Sequence, residues 1–140
     1  MDAQTFKEWQ DPEINAVNRA PMHTNFFAYE STEAATEAVK EKSANFMTLN
    51  GIWKFRWVKD SDARPTNFWK IGYNDKGWDD LPIPAMWELN GYDVPLYSGV
   101  GFDWKLWKGW CKNNPPVVPV ENNHVGSYRR EIIVPCDWKG

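Results

Sequence analysis

The sequence predicts an all-β fold: an incomplete jelly-roll sandwich with one short helix and a long N-terminal arm. Three observations predict it. The segment LNGIWKFRWV alternates aromatic and basic residues with the two-residue period of a half-buried strand. Helical character is confined to one stretch, STEAATEAVKEKSANF. The other strand-like runs are short and separated by proline-rich crossings, the pattern of an antiparallel sandwich.

Taken in order, residues 9–30 hold two prolines and no sustained period, so they read as an extended arm lying across something else. Ser31 then precedes the helical stretch, with Glu33 near its start and Lys40 and Lys42 near its end, each favourable to the helix dipole. Its apolar positions are mainly alanines and Val39, so this helix covers rather than builds a core. In the next strand Trp53, Phe55 and Trp57 share one face and Lys54 and Arg56 the other, so something wide must sit opposite the rings. A turn is expected from Asp60 to Pro65, and a short helical turn around Thr66 to Trp69. Asn74-Asp75-Lys76-Gly77 is a strong turn signal. In the following WDDLPIP, Pro82 and Pro84 restrict the segment to an edge strand or an extended crossing. SYRREIIVP, residues 127–135, reads as a further strand with Tyr128, Ile132 and Val134 on one face. The convincing strands are too few to close a sandwich, and Trp138-Lys139-Gly140 follows a strong strand directly, so the expectation is a domain cut short.

Composition narrows the function. A chain of 140 residues is one domain or a piece of one. A formal charge of −3 and a pI near 5.4 provide no basic patch, which argues against a nucleic-acid partner. Mean hydropathy of −0.66 with no long apolar run argues against a membrane partner. Met1-Asp2-Ala3-Gln4 lacks the basic and apolar regions of a signal peptide, and the sequence selects neither periplasm nor cytoplasm. Cys111 and Cys136 are too few for a disulfide framework or a zinc site; they read as separate thiols, or as a pair if the fold brings them together. His23 and His124 have no second ligand at metal spacing and read as structural or surface residues. The ten tryptophans admit two readings: flat rings for the apolar faces of sugars, or large rings filling a β-rich core.

Four segments occur in a telling order: WQDPEINAVNRAPMH, LNGIWKFRW, LPIPAMWELNGYDVPLY and NNPPVVPVENNHVGSYRR. Together they resemble the N-terminal part of the large β-galactosidases of glycoside hydrolase family two, from Trp9 to about Pro135. The Asn18-Arg19 arm, Asn114-Pro115-Pro116 and Glu121-Asn122 are its most specific parts and point away from the related glucuronidases and mannosidases. The resemblance implies a galactose-binding-like jelly-roll domain, residues 31–140 here, behind an arm of residues 1–30. It implies a long multidomain parent that cleaves terminal β-galactosides with retention, acts on galactoside sugars and forms a homo-oligomer. Both catalytic glutamates of the family belong to a downstream barrel, so this chain is expected to contain no catalytic residue and to be inactive alone. The family's magnesium and sodium are likewise held mainly downstream, and no metal ligand or other cofactor is assigned to this chain.

The resemblance also singles out a loop. After Tyr97-Ser98 the family carries an asparagine and a valine, the asparagine bonding the galactose; here the matching residues are Gly99 and Val100. Glycine offers only backbone groups, so one side-chain contact is lost. The residues that follow, GFDWKLWKGWCKN, suggest an aromatic rim on which Trp104 meets a sugar face and Asp103 or Ser98 adds polar contacts. The same spacing also lets Trp104 and Trp107 pin the loop to the sandwich. Glu88, Asp93, Asp103 and Glu121 are the carboxylates available for an acid pair, and turn chemistry is their ordinary explanation. Glu121-Asn122 reads as a local Asx turn before the last strand. Besides a β-galactosidase fragment, an independent carbohydrate-binding module and a purely structural domain are compatible with these residues.

Overall fold

The computed structural model describes residue 8, residues 11–95 and residues 118–138. The fold is all-β. Three strands, β1 (Gly51–Val58), β2 (Asp79–Ile83) and β3 (Val125–Arg129), form one antiparallel sheet in the order β2-β1-β3. The helix α1 spans Thr32–Glu37, and single 3-10 turns lie at Lys40–Lys42, Ser61–Ala63 and Trp87–Asn90. No helix among the described residues is long and apolar enough to cross a membrane.

The register explains where the core sits. β2 pairs with the first half of β1, Gly51 to Phe55, and β3 with the second half, Lys54 to Val58. The two pairings overlap at Lys54 and Phe55, so Phe55 is flanked on both sides, by Asp79 and by Tyr128. Phe55 is 0% exposed and Leu81, which faces Trp53, is 1% exposed. The alternation expected for β1 therefore holds, and the wide element opposite its rings is itself aromatic. Around Phe55 stand Tyr128 at 4.7 Å, Tyr92 at 4.8 Å and Trp87 at 6.2 Å between ring centres.

The opposite face of the sheet is covered only toward β3. There the Asn74–Gly77 turn forms as expected, with Trp78 N–H donating to the Asp75 carbonyl at 2.9 Å. The Arg129 guanidinium holds that loop by bonding the Asp75 carboxylate at 2.6 Å and the Tyr73 carbonyl at 3.3 Å. Toward β2 the face is open, and Ile52, opposite Pro82, is exposed. β2 is an edge strand, as Pro82 requires, and Lys54 ties it to β1 through Asp80 at 2.7 Å.

Three expectations are corrected. The helix ends at Glu37, because Ala38 adopts a left-handed conformation (φ 56°) and donates its N–H to the Ala34 carbonyl. Lys40 and Lys42 therefore sit in a separate turn and not on the helix dipole. Nothing in α1 is buried, so no packing extends it. The segment from Thr66 to Trp69 forms no helix; one turn closes it, Lys70 N–H to the Asn67 carbonyl at 3.1 Å. The last strand starts at Val125 and stops at Arg129, and Ile132 and Val134 are exposed beyond it. The Arg130 guanidinium bonds the carbonyls of Leu49 at 2.6 Å and Asn50 at 2.9 Å, which draws the chain past the end of its pairing with β1.

Residues 11–30 contain no helix or strand and are largely exposed. Contact begins at the end of that stretch: Phe27 meets Phe46 at 6.3 Å, and Asn45 Nδ2 donates to the Ala28 carbonyl at 2.9 Å. Glu30 accepts from the Ser43 hydroxyl and, at 3.3 Å, from the Ala44 N–H. These bonds hold the Glu30 carboxyl below the usual carboxylate range, the Ser43 bond contributing most.

Candidate functional site

The four residues assigned to sugar contact, Gly99, Val100, Asp103 and Trp104, lie outside the described residues, as does Cys111. The two strands of chain that lead into and out of that stretch are described, and both run onto the aromatic face of the sheet. The incoming segment follows the Trp87–Asn90 turn, which closes on Gly91 at φ 90° with its N–H on the Trp87 carbonyl. Glycine meets that left-handed requirement without a Cβ clash. Tyr92 then packs edge-on against Phe55.

The next residue, Asp93, has φ 65° and turns its carboxylate onto His124 Nδ1. Both side chains are mostly buried, and the imidazole lies 5.2 Å from the Trp57 ring. Asp93 and His124 thus join the two ends of the intervening stretch against β1. A second tie lies alongside: Asn122 N–H donates to the Asp60 carboxylate at 2.7 Å, and Ser61 N–H to the Val120 carbonyl at 3.1 Å. Asn123 Nδ2 donates to the Pro119 carbonyl at 3.0 Å, and Asn122 takes the left-handed conformation (φ 53°). The side-chain bond of this turn thus comes from Asn123; the Asn122 side-chain oxygen is buried without a partner among the described residues, so the Asx turn expected of Glu121-Asn122 is not made by Asn122, and Glu121 is exposed.

His124 is therefore a structural residue, and its partner is Asp93, one of the four carboxylates considered for acid chemistry. Spacing in the sequence did not reveal this pair, because the two residues lie far apart along the chain. Glu88 is half-buried, and its charge adds to burial in pushing the Tyr128 hydroxyl above the usual tyrosine range. Tyr92 is pushed the same way by burial first and by its bond to Asp79 second. The indole N–H groups of Trp57 and Trp87, on this same face, are buried without a hydrogen-bond partner among the described residues. An unmet buried donor costs about 1–3 kcal/mol, so these two mark where a further polar group is best accommodated. Cys136 is a free, exposed thiol, and His23 is exposed with Nδ1 2.8 Å from the Thr24 carbonyl.

Comparison with known proteins gives this frame its relatives. A protein named β-galactosidase from Priestia megaterium is 32% identical over 141 aligned residues, covering 98% of this chain and 13% of the relative. The protein of the same name from Halalkalibacterium halodurans is 35% identical over 127 residues, 90% of this chain and 12% of its own length. That from Psychromonas ingrahamii is 30% identical over 133 residues, 95% of this chain and 12% of its own. No protein-family model matches the chain. The resemblance carried by the motifs holds: nearly all of the chain is related to one segment of large β-galactosidases, and it spans about an eighth of their length.

Proposed function

We propose that the chain is the N-terminal sugar-binding segment of a retaining β-galactosidase of glycoside hydrolase family two, with residues 1–30 as its arm and 31–140 as an incomplete jelly roll. One observation carries this reading: the match runs through 98% of the chain but 13% of the relative. The packing supports it. Among the described residues only Phe55 and Leu81 are buried apolar side chains, whereas Met22, Phe26, Trp69, Ile71, Leu89 and Ile133 are exposed. Described residues with so few buried apolar side chains fit a part whose apolar surface is covered by further structure.

In retaining hydrolysis one carboxyl protonates the leaving oxygen while a second, about 5 Å away, attacks the anomeric carbon. Both groups belong, in this reading, to the parent's catalytic barrel. The contribution of this chain is positional. The Asp93–His124 pair and the Asp60–Asn122 bond gather both ends of the 94–121 stretch at the sheet. Gly99, Val100, Asp103 and Trp104 then border the galactoside, with Trp104 against a sugar face. Magnesium and sodium belong to the parent. Among the described residues no three His, Cys, Asp or Glu side chains gather to hold an ion, and no step here is routed through one.

The test is hydrolysis of nitrophenyl glycosides by the chain joined to its natural continuation, with the 140-residue chain as control. The reading expects β-galactoside cleavage by the long form alone. Cleavage by the short chain, or a long form that cleaves a different glycoside, would overturn it.

A further inference from the structure

Resting on the proposal that these 140 residues belong to a longer protein, we infer that the outer edge of β3 is where a later segment of that protein docks. The segment adds there as an extended strand and sets an apolar side chain into the cleft beside Ser127. Pro82 fixes which backbone groups the joint uses. It has no N–H, so Ile52 and Pro82 cannot exchange both hydrogen bonds, and the bonded pairs between β1 and β2 are Gly51–Ile83, Trp53–Leu81 and Phe55–Asp79. Bonding direction alternates along β1, so Lys54, Arg56 and Val58 bond β3, through Arg129, Ser127 and Val125. Gly126 and Tyr128 are left with their N–H and C=O groups directed outward, and no strand among the described residues pairs with them there.

The other edge makes a poorer joint. By the same alternation the outward residues of β2 are Asp80 and Pro82, and only the first has an N–H to offer; its carboxylate is tied to Lys54 at 2.7 Å. Beside β3, in contrast, opens a cleft of about 430 Å³, walled by Pro65, Phe68 and Trp69 and by β3 from Val125 to Tyr128. Ser127 is small and 5% exposed, so a strand laid along it has room on this face for a larger apolar side chain. The Arg129 guanidinium is already engaged by the Asp75 carboxylate and by the Tyr73 and Lys70 carbonyls. Main-chain hydrogen bonds and an apolar contact are therefore what this edge provides, and that is the chemistry of strand addition.

The occupant comes from the same polypeptide. Aligned over 98% and 90% of this chain, two of its relatives have 13% and 12% of their own length in the match, so most of each lies outside it. A strand carried on the same polypeptide reaches the β3 edge in an intramolecular step, at an effective concentration that a separate molecule does not match. It leaves β2, with Pro82 and the Lys54–Asp80 tie, as the outer edge of the sheet on that side.

Hydrogen exchange read at single residues in the full-length protein tests this. The Gly126 and Tyr128 amides are expected to exchange as slowly as that of Ser127, at least about a hundredfold below the rate of an unstructured chain. A benzophenone side chain placed at Thr66, which is exposed and lines the cleft, should cross-link within one polypeptide to a residue beyond 140. Fast exchange at Gly126 and Tyr128 beside a protected Ser127 would overturn the inference. So would a cross-link to a second polypeptide, or cross-links confined to residues 1–140. β-Galactoside hydrolysis by the same preparation reads the proposed function separately. An active enzyme with a bare β3 edge loses the strand addition alone, and an inactive one with the cross-link in place loses the activity alone.

Discussion

Gly126 lies flat against the Trp87 ring: a Cβ built on it would fall 2.5 Å from Trp87 Cζ3 and 2.8 Å from Phe55 Cε2. Glycine at this β3 position is therefore set by close approach, with β3 supplying a bare patch of backbone onto which the Trp87–Asn90 turn docks. Gly126→Ala should cost about 1–3 kcal/mol by overpacking. Urea denaturation would show it as a lower midpoint with an unchanged slope. Shortening the facing ring with Trp87→Leu should recover part of that cost in the double variant. Additive losses from the two substitutions would mean that the contact does not limit this site.

The Arg129–Asp75 pair holds the loop over the covered face of the sheet. Arg129 also bonds the Tyr73 carbonyl at 3.3 Å and lies 5.7 Å from the Tyr73 ring centre. Lysine cannot reproduce that fork of contacts. Arg129→Lys should destabilise by about 1–2 kcal/mol, from the loss of charged hydrogen bonds. Amide exchange should rise most in residues 70–76. A uniform rise across all three strands would show instead that Arg129 supports the whole sheet.

Which parts of this were readable beforehand follows from how local each determinant is. The β1 alternation and the Asn74–Gly77 turn depend on near neighbours, and both form where expected. Pro82 announces an edge because a missing N–H is a property of one residue. The run after Arg129 has every local mark of a strand, yet a strand needs a partner, and periodicity does not say whether one is present. The helix stretch failed in the reverse way: good propensity, but no apolar face to bury beyond Glu37. The Asp93–His124 clasp is a tertiary fact with no sequence signal beyond an isolated aspartate and histidine. The residues assigned to sugar contact were reached through family resemblance alone, and they lie outside the described residues.

Glu30 joins the arm to the Ser43–Asn45 segment through a carboxylate that must stay ionised to accept two hydrogen bonds. Its folded value lies below the ordinary 4.5, so the native state binds fewer protons than the unfolded chain through that window. Its contribution is fully present above the ordinary value and is lost as pH falls through the lowered one. Carboxyl carbon shifts should show Glu30 titrating below the ordinary 4.5. Ser43→Ala should move its midpoint back up, and an unmoved midpoint would remove the Ser43 hydroxyl as the cause.

Tyr92 and Tyr128 give the opposite sign at the alkaline end. Both hydroxyls are pushed above the ordinary 10.0, so the native state holds its protons longer than the unfolded chain does. Their contribution is present below that ordinary value and is lost as pH rises through the folded values. Absorbance titration at the tyrosinate band should resolve two late-ionising tyrosines. Glu88→Gln should bring Tyr128 forward while leaving Tyr92 in place, and a shift in both would point to a general loosening of the aromatic face.

The last prediction concerns the residue that departs from the family. If Gly99 stands where an asparagine side chain bonds the galactose, restoring it should strengthen recognition by one neutral hydrogen bond, about 0.5–1.5 kcal/mol. Gly99→Asn in the full-length enzyme should then raise kcat/KM for β-galactosides, by about twofold to tenfold, with little change for an analogue lacking the bonded hydroxyl. Trp104→Ala should act on KM for both substrates alike, because stacking on a sugar face does not read one hydroxyl. An equal gain for both substrates in Gly99→Asn would assign the effect to loop stiffening. A loss for both would mean that the backbone of residue 99 requires glycine, and that this lineage gave up the side-chain contact for another loop conformation.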